Sequence, residues 1–254
     1  MTIPTRSTAL AIAMLGLTLA LPACTTLHEQ HTSTSVVDFL YPNAPQTRTP
    51  DRPVTQVPTL NLPLRLGIAF VPATGSGAPA LTEPRRMALM QQVADRFKPL
   101  PYIKGIELLP SNYLKPHGGF DNLDQLRALY GVDVIALVSY DQVQFTDEGA
   151  LSLTYWTIVG AYVVPAERNE TQTLLDTVVV DVGSRSILFR APGTAHVTGR
   201  ATLVNSSEQL RADSNASFDA AANRMIENLD AELGRFKEAL EKHPERFAVV
   251  RPAS

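Results

Sequence analysis

Five consecutive apolar residues, Val134-Ile135-Ala136-Leu137-Val138, stand between Asp133 and Ser139. A strand with one wet face alternates apolar and polar side chains, so an unbroken run of this length calls for cover on both faces of its sheet. The chain ahead of the run supplies two helices for that purpose. Leu64 to Val71 is β-rich and ends at Pro72, before a Gly75-Ser76-Gly77 loop, and is expected to be the first strand. Thr82 is placed to cap a helix with Pro84 in its first turn, and Met87, Met90, Ala94 and Phe97 then recur at helical spacing until Pro99. Ile103 to Leu109 predicts a second strand. Asp121 is the expected cap of a second helix that carries Leu123, Leu126 and Leu129 and stops at Gly131. With Val132 to Tyr140 as the third strand, the opening is βαβαβ.

The pattern changes after Asp147-Glu148-Gly149. Long strands without intervening helices are expected at Leu151 to Val164 and Thr173 to Val182, followed by a turn near residues 183–186. Ile187 to Arg190 returns as a hairpin partner, and His196 to Leu203 is expected to form one more strand. A long helix from about Ser214 to Lys242 closes the chain. Its Phe218, Ala222, Met225, Leu229, Leu233, Phe236 and Leu240 share one face, which suits packing on the sheet and, as a second reading, an oligomer contact. The fold class expected is therefore α+β: a mixed sheet with an N-terminal βαβαβ part, a long-stranded antiparallel part, and a long C-terminal helix packed on the sheet.

The N-terminus carries an address. Arg6 precedes an apolar run from Ala9 to Leu21, broken only by Gly16 and Thr18, and then Leu21-Pro22-Ala23-Cys24. That order is the n-region, h-region and small-residue cleavage site of a secretory signal, here residues 1–23. The run falls short of the roughly 20 apolar residues that a membrane-spanning helix needs. Cys24 is the only cysteine, so the exported domain is expected to hold no internal disulfide. From Thr25 to Pro63 the chain is rich in Thr, Gln, Pro and His, with prolines at 42, 45, 50, 53, 58 and 63, and residues 24–63 are expected to be a tether. Ser35-Val36-Val37-Asp38-Phe39-Leu40-Tyr41-Pro42 interrupts it with enough apolar surface to pack on something. It fits either a strand or loop covering the domain's edge or a segment that docks a partner through Phe39 and Tyr41. Residues 64–250 are expected to form one domain.

Leu21, Ala23 and Cys24 resemble the bacterial lipobox, which implies that Cys24 receives a diacylglycerol and anchors the protein in a membrane. Two or more acyl chains hold stably where one does so marginally. Thr25 stands where an Asp would retain such a protein in the inner membrane, so the resemblance implies the outer membrane, facing the periplasm. The lipobox, Ser-Val-Val-Asp-Phe-Leu-Tyr-Pro at 35–42, Leu-Arg-Leu-Gly-Ile-Ala-Phe-Val-Pro at 64–72 and Tyr-Gly-Val-Asp-Val-Ile-Ala-Leu-Val-Ser-Tyr-Asp-Gln at 130–142 together resemble the rhombotarget lipoprotein family. In architecture, the Gly-Val-Asp-Val-Ile-Ala strand, the long strands after it and Val178-Val179-Val180-Asp181-Val182 with its turn are similar to periplasmic lipoproteins of the curli-secretion type, whose domain is related to the TolB amino-terminal domain.

Chemistry is harder to find. Removing residues 1–23 takes away one positive charge, Arg6, from a chain of formal charge −3, so no basic surface for nucleic acid is implied. The histidines at 28, 31, 117, 196 and 243 lack metal-site spacing, and no cofactor is expected. The glycine pairs at 75/77 and 118/119 lack the flanking residues of a phosphate loop. Asp121, Asp124, Asp133 and Asp141 cluster in sequence around helix and strand ends, where capping accounts for them and a site on one rim of the sheet is the alternative. Tyr155 and Trp156 alternate on an expected strand, and an exposed Trp156 would mark a protein-binding patch. The function expected is a non-enzymatic, outer-membrane-anchored periplasmic lipoprotein that binds, scaffolds or assembles envelope proteins, or itself. The alternatives are an envelope hydrolase with an acidic site and a subunit of a curli-type secretion oligomer.

Overall fold

A computed structural model describes residues 27–42, 58–73, 81–148, 167–201, 205–242 and 247–250. Strand β1 (Leu27–Ser33) and a short helix α1 (Val36–Leu40) lead into β2 (Thr59–Asn61) and β3 (Leu64–Phe70). Helix α2 (Glu83–Phe97), β4 (Ile103–Leu109), α3 (Gly119–Tyr130) and β5 (Val134–Glu148) follow, so β3, β4 and β5 with their two crossover helices are the βαβαβ unit. The chain then runs through β6 (Glu167–Asp181), β7 (Ser186–Ala201), α4 (Ser206–Lys242) and β8 (Ala248–Val250).

The main sheet has the order β4-β3-β5-β6-β7. β3 pairs parallel with both β4 and β5, whereas β5, β6 and β7 form an antiparallel meander. β3 is too short to line the whole of β5. It covers the first rows, from Leu66 opposite Val134 to Phe70 opposite Val138, and β1 then takes over the same edge antiparallel, from Ser33 opposite Asp141 to Leu27 opposite Asp147. The lower half of the sheet is therefore β4-β3-β5-β6-β7 and the upper half β1-β5-β6-β7. β2 and β8 make a separate parallel pair.

Alternation along the strands divides the core in two, as the apolar run at 134–138 requires. Leu66, Ile68, Phe70, Val134, Ala136 and Val138 pack with Met90, Val93 and Phe97 of α2 and Phe218, Met225 and Leu229 of α4. Ala69, Ile135, Leu137, Val178 and Val180 pack on the opposite face with Leu123 and Leu126 of α3 and with α1. Thr82 occupies the cap position of α2 with Pro84 in the first turn, but its hydroxyl makes no cap bond. α3 begins earlier than expected, with Gly118 at the cap and Asp121 inside the first turn, and Gly131 ends it at φ 64°, a left-handed conformation that glycine adopts without strain. Met87 and Leu129, counted with the buried stripes by spacing, lie outside them; Leu89, Val93 and Phe120 are buried instead.

The largest departure concerns the tether. Residues 27–42 and 58–63 lie within the expected 24–63 stretch, yet they supply a seven-residue edge strand, a helix and part of the small second sheet. Composition concealed this because β1 needs only backbone pairing with β5, and α1 needs only three apolar residues at helical spacing: Val36, Phe39 and Leu40, all buried. The Ser35 hydroxyl caps α1 by accepting from the Asp38 N–H at 3.1 Å. β7 is one long strand where two were expected, and α4 starts at Ser206. The strand expected at Leu151 to Val164 lies outside the described residues.

Candidate functional site

α1 and α3 cover one face of the lower sheet but stop short of the upper half. There the side chains of Asp141, Val143, Gln172, Leu174, Thr194 and His196 line an open cavity of about 430 Å³, with Arg224 of α4 at its rim. Val143, Phe145 and Leu174 are half-buried and Gln172, Thr194 and His196 exposed, a mixture typical of a surface rather than of a core. His196 Nε2 stands 4.0 Å from the Glu170 carboxylate. Asp176 sits below Leu174 and receives Arg190 Nε at 2.6 Å; burial pushes its carboxyl above the usual range against the opposing pull of that guanidinium.

The opposite face of the upper sheet is closed by the N-terminal half of α4, and here the packing is polar. Gln142 Nε2 donates to Thr173 Oγ1 at 2.8 Å and to the Ser214 carbonyl at 3.2 Å, while the Ser214 hydroxyl returns a bond to Gln142 Oε1 at 2.6 Å. Gln144 repeats the arrangement one pleat on, donating to Thr171 Oγ1 and to the Leu210 carbonyl. Ser217 and Thr173 share a 2.8 Å bond. Hydrogen bonds of this kind specify one helix position where an apolar contact would tolerate several. Glycine permits the close approach. A Cβ at Gly193 would stand 2.2 Å from the Ala221 carbonyl oxygen and 2.3 Å from the Met225 nitrogen, and one at Gly199 would stand 1.9 Å from the Asp213 carboxylate. At the end of this layer both polar atoms of the Asn169 amide and Oδ2 of Asp213 are buried with no hydrogen-bond partner among the described residues.

Among the described residues β7 forms the outer edge of the sheet, and α4 guards part of it. Asn228 Nδ2 donates to the Pro192 carbonyl at 2.5 Å and Arg224 Nη1 to the Thr194 carbonyl at 2.6 Å. Pro192 has no N–H to offer, so this stretch of edge is closed to a further strand.

The residues named from sequence are dispersed. Cys24 and Trp156 lie outside the described residues. Phe39 is a correction: at 0% exposure it is core, held against α3 and the sheet, and has no surface for a partner. Tyr41 is 38% exposed, with its ring edge-on to Phe120 at 5.7 Å. The four aspartates do not share one rim. Asp121 and Asp124 lie on α3 within 3.4 and 3.3 Å of Arg185, and Asp133 accepts the Arg65 backbone N–H at 3.0 Å at the foot of β5. Asp141, eight residues up the same strand, is about 26 Å away from Asp133 at the usual rise of a strand. A polar recess of about 330 Å³ at the foot of the sheet brings Asp133 together with Arg127, Asp181 and Ser184. Among the described residues no group of three or more His, Cys, Asp or Glu side chains is placed to hold a metal ion, and no helix is long and apolar enough to cross a membrane. The open upper face was missed in the sequence. The polar layer under α4 was missed as well, although its trace was there in Gln142, Gln144, Thr171 and Thr173, polar residues alternating within β segments on both sides of the 149–166 stretch.

No family model matches this chain, and no curated protein does so either. Two solved structures are similar in outline. A PelC dodecamer from Paraburkholderia phytofirmans aligns at 9% identity and a TM-score of 0.32, over 81% of this chain and 96% of that one. A homologue of a neuraminyllactose-binding hemagglutinin from Helicobacter pylori aligns at 9% identity and a TM-score of 0.30, over 76% of this chain and 95% of that one. At these scores neither likeness bears on function.

Proposed function

We propose that this protein is an outer-membrane-anchored periplasmic lipoprotein, held by a lipid on Cys24, that works by binding protein: as a scaffold or assembly factor for other envelope proteins or for copies of itself. The observation that carries the reading is the upper half of the sheet. Its open face of mixed apolar and polar side chains around Val143, Leu174 and His196 is left uncovered by α1 and α3, while α4 holds the reverse face in place through a dedicated polar layer. A rigid, half-apolar face with polar neighbours is the kind of surface that binds another protein. The leader and lipobox resemblance supply the location, and the anchor would hold that surface near the membrane.

In-cell cross-linking of the intact lipoprotein, followed by mass spectrometry of the purified complexes, tests this, with Cys24→Ala as the unanchored control. Discrete protein neighbours that depend on the anchor are expected. A protein that stays solitary under conditions that cross-link known envelope complexes would overturn the reading. Radiolabelled palmitate incorporated by the wild type and absent from Cys24→Ala would establish the anchor separately.

A further inference from the structure

The two borders of the upper sheet match each other. In an antiparallel pair, residues whose N–H and C=O do not bond the neighbouring strand point both groups outward, and these residues alternate. On β7 the bonds from Asn228 and Arg224 mark Pro192 and Thr194 as outward-pointing, so His196, Thr198 and Arg200 point outward as well. On β1 the Thr34 N–H bonds the Tyr140 carbonyl at 2.8 Å, which places Thr34 inward and Ser33, His31, Glu29 and Leu27 outward. Following the register across the sheet, His31 lies in the row of Val143, Gln172 and His196. Glu29 lies in the row of Phe145, Glu170 and Thr198, and Leu27 in that of Asp147, Arg168 and Arg200.

The outward positions of the two edges thus fall in the same three rows. Their directions agree too, because β1 and β7 run antiparallel to each other through the alternation of β5 and β6. The guard on β7 ends where these rows begin. One and two helical turns before Arg224 stand Ala220 and Ala216, too short to reach the edge, and among the described residues no side chain caps the backbone of His196, Thr198 or Arg200.

We infer that a second copy of this chain adds its β1 to the β7 edge of the first, antiparallel, with Leu27, Glu29 and His31 of one copy opposite Arg200, Thr198 and His196 of the other. Each such pair exchanges two backbone hydrogen bonds and continues the four-stranded upper sheet from copy to copy. The contact joins two different surfaces, so it is head-to-tail and builds a closed ring or an open chain rather than a twofold dimer. The capped carbonyls at Pro192 and Thr194 stop the added strand from sliding down the edge. This inference rests on the protein-binding reading and names its partner.

The test uses the full-length lipoprotein in cells. A variant carrying both Glu29→Cys and Thr198→Cys, treated with a short bismaleimide, is expected to give a ladder of multimers, and each single variant none. Thr198→Pro, which removes an outward N–H from one edge, and Glu29→Pro, which does so on the other, are each expected to abolish self-association by sedimentation of the detergent-extracted protein. Mixed together, the two variants each retain one intact edge and are expected to form discrete dimers that grow no further. Circular dichroism of each variant establishes that it is folded; should a proline variant unfold, the double-cysteine ladder decides alone. The inference is overturned if the double-cysteine variant gives no ladder, if the folded proline variants assemble like the wild type, or if the thiol introduced by Thr198→Cys links only to a different protein. Neighbours recovered equally by wild type and Thr198→Pro would sink the edge contact and leave the protein-binding reading standing. No neighbours at all would sink both.

Discussion

Phe39→Ala tests whether the segment ahead of the βαβαβ unit is a structural part of the domain. The Phe39 ring is at 0% exposure in a cluster with Leu40, Leu123, Leu126, Ile135 and Leu137, so its truncation removes a complete aromatic side chain and leaves a cavity in the second core. Truncations of this class cost about 3–5 kcal/mol. For a domain of this size each kcal/mol lowers the melting temperature by about 2–4 °C, which places the expected fall at roughly 6–20 °C. Val37, two residues earlier in the chain, points away at 65% exposure, and Val37→Ala is expected to change stability by no more than about 0.5 kcal/mol. Both variants would be made in the protein lacking residues 1–23, with Cys24→Ser to remove the thiol, and compared by urea unfolding and thermal melts. Equal stabilities for the two would refute the packing argument and return residues 35–42 to the tether.

Three further outcomes follow from the upper sheet. Gly193→Ala drives a methyl group into the backbone of α4 at Ala221 and Met225, where no side chain can turn aside, and is expected to destabilise by at least about 1–3 kcal/mol in urea unfolding. Gln142→Leu removes the bonds that the amide makes to the Ser214 hydroxyl and to Thr173 Oγ1, leaving Thr173 only its bond with Ser217, and is expected to cost about 1–3 kcal/mol by the same assay, despite the gain in apolar character. The Tyr140 hydroxyl, with burial the main cause, is pushed up to about 12, so an ultraviolet titration should show one tyrosine ionising near that pH and lost from the curve in Tyr140→Phe. Because the folded state holds this proton more tightly than the unfolded state, the Tyr140 contribution is intact below about pH 10 and is lost as pH rises through about 12.

Legibility varied with how far each element depends on its own residues. The run at 134–138 implied a sheet covered on both faces, and Leu123, Leu126, Met90 and Phe97 fell where helical spacing put them. Gly131 announced its turn because few other residues take a positive φ cheaply. β1 was illegible because Leu-His-Glu-Gln-His-Thr-Ser has no apolar alternation, and its structure comes from the backbone of β5. The alternative of one shared rim for the aspartates fails for a related reason: nearness in sequence along an extended strand is distance in space, which separates Asp133 from Asp141.

What the sequence determined by itself is what local pattern controls: the βαβαβ opening, the amphipathic face of α4 and the α+β class. The tertiary structure alone decided which parts of the strands are covered. β3 ends five rows into β5, α1 and α3 reach no further, and Gly193 and Gly199 draw α4 onto the reverse face, so among the described residues an open face and two matching edges remain above. Those features exist because of differences in the lengths of neighbouring elements that pair only after the chain has folded, and periodicity within any one segment carries no record of where its neighbour stops.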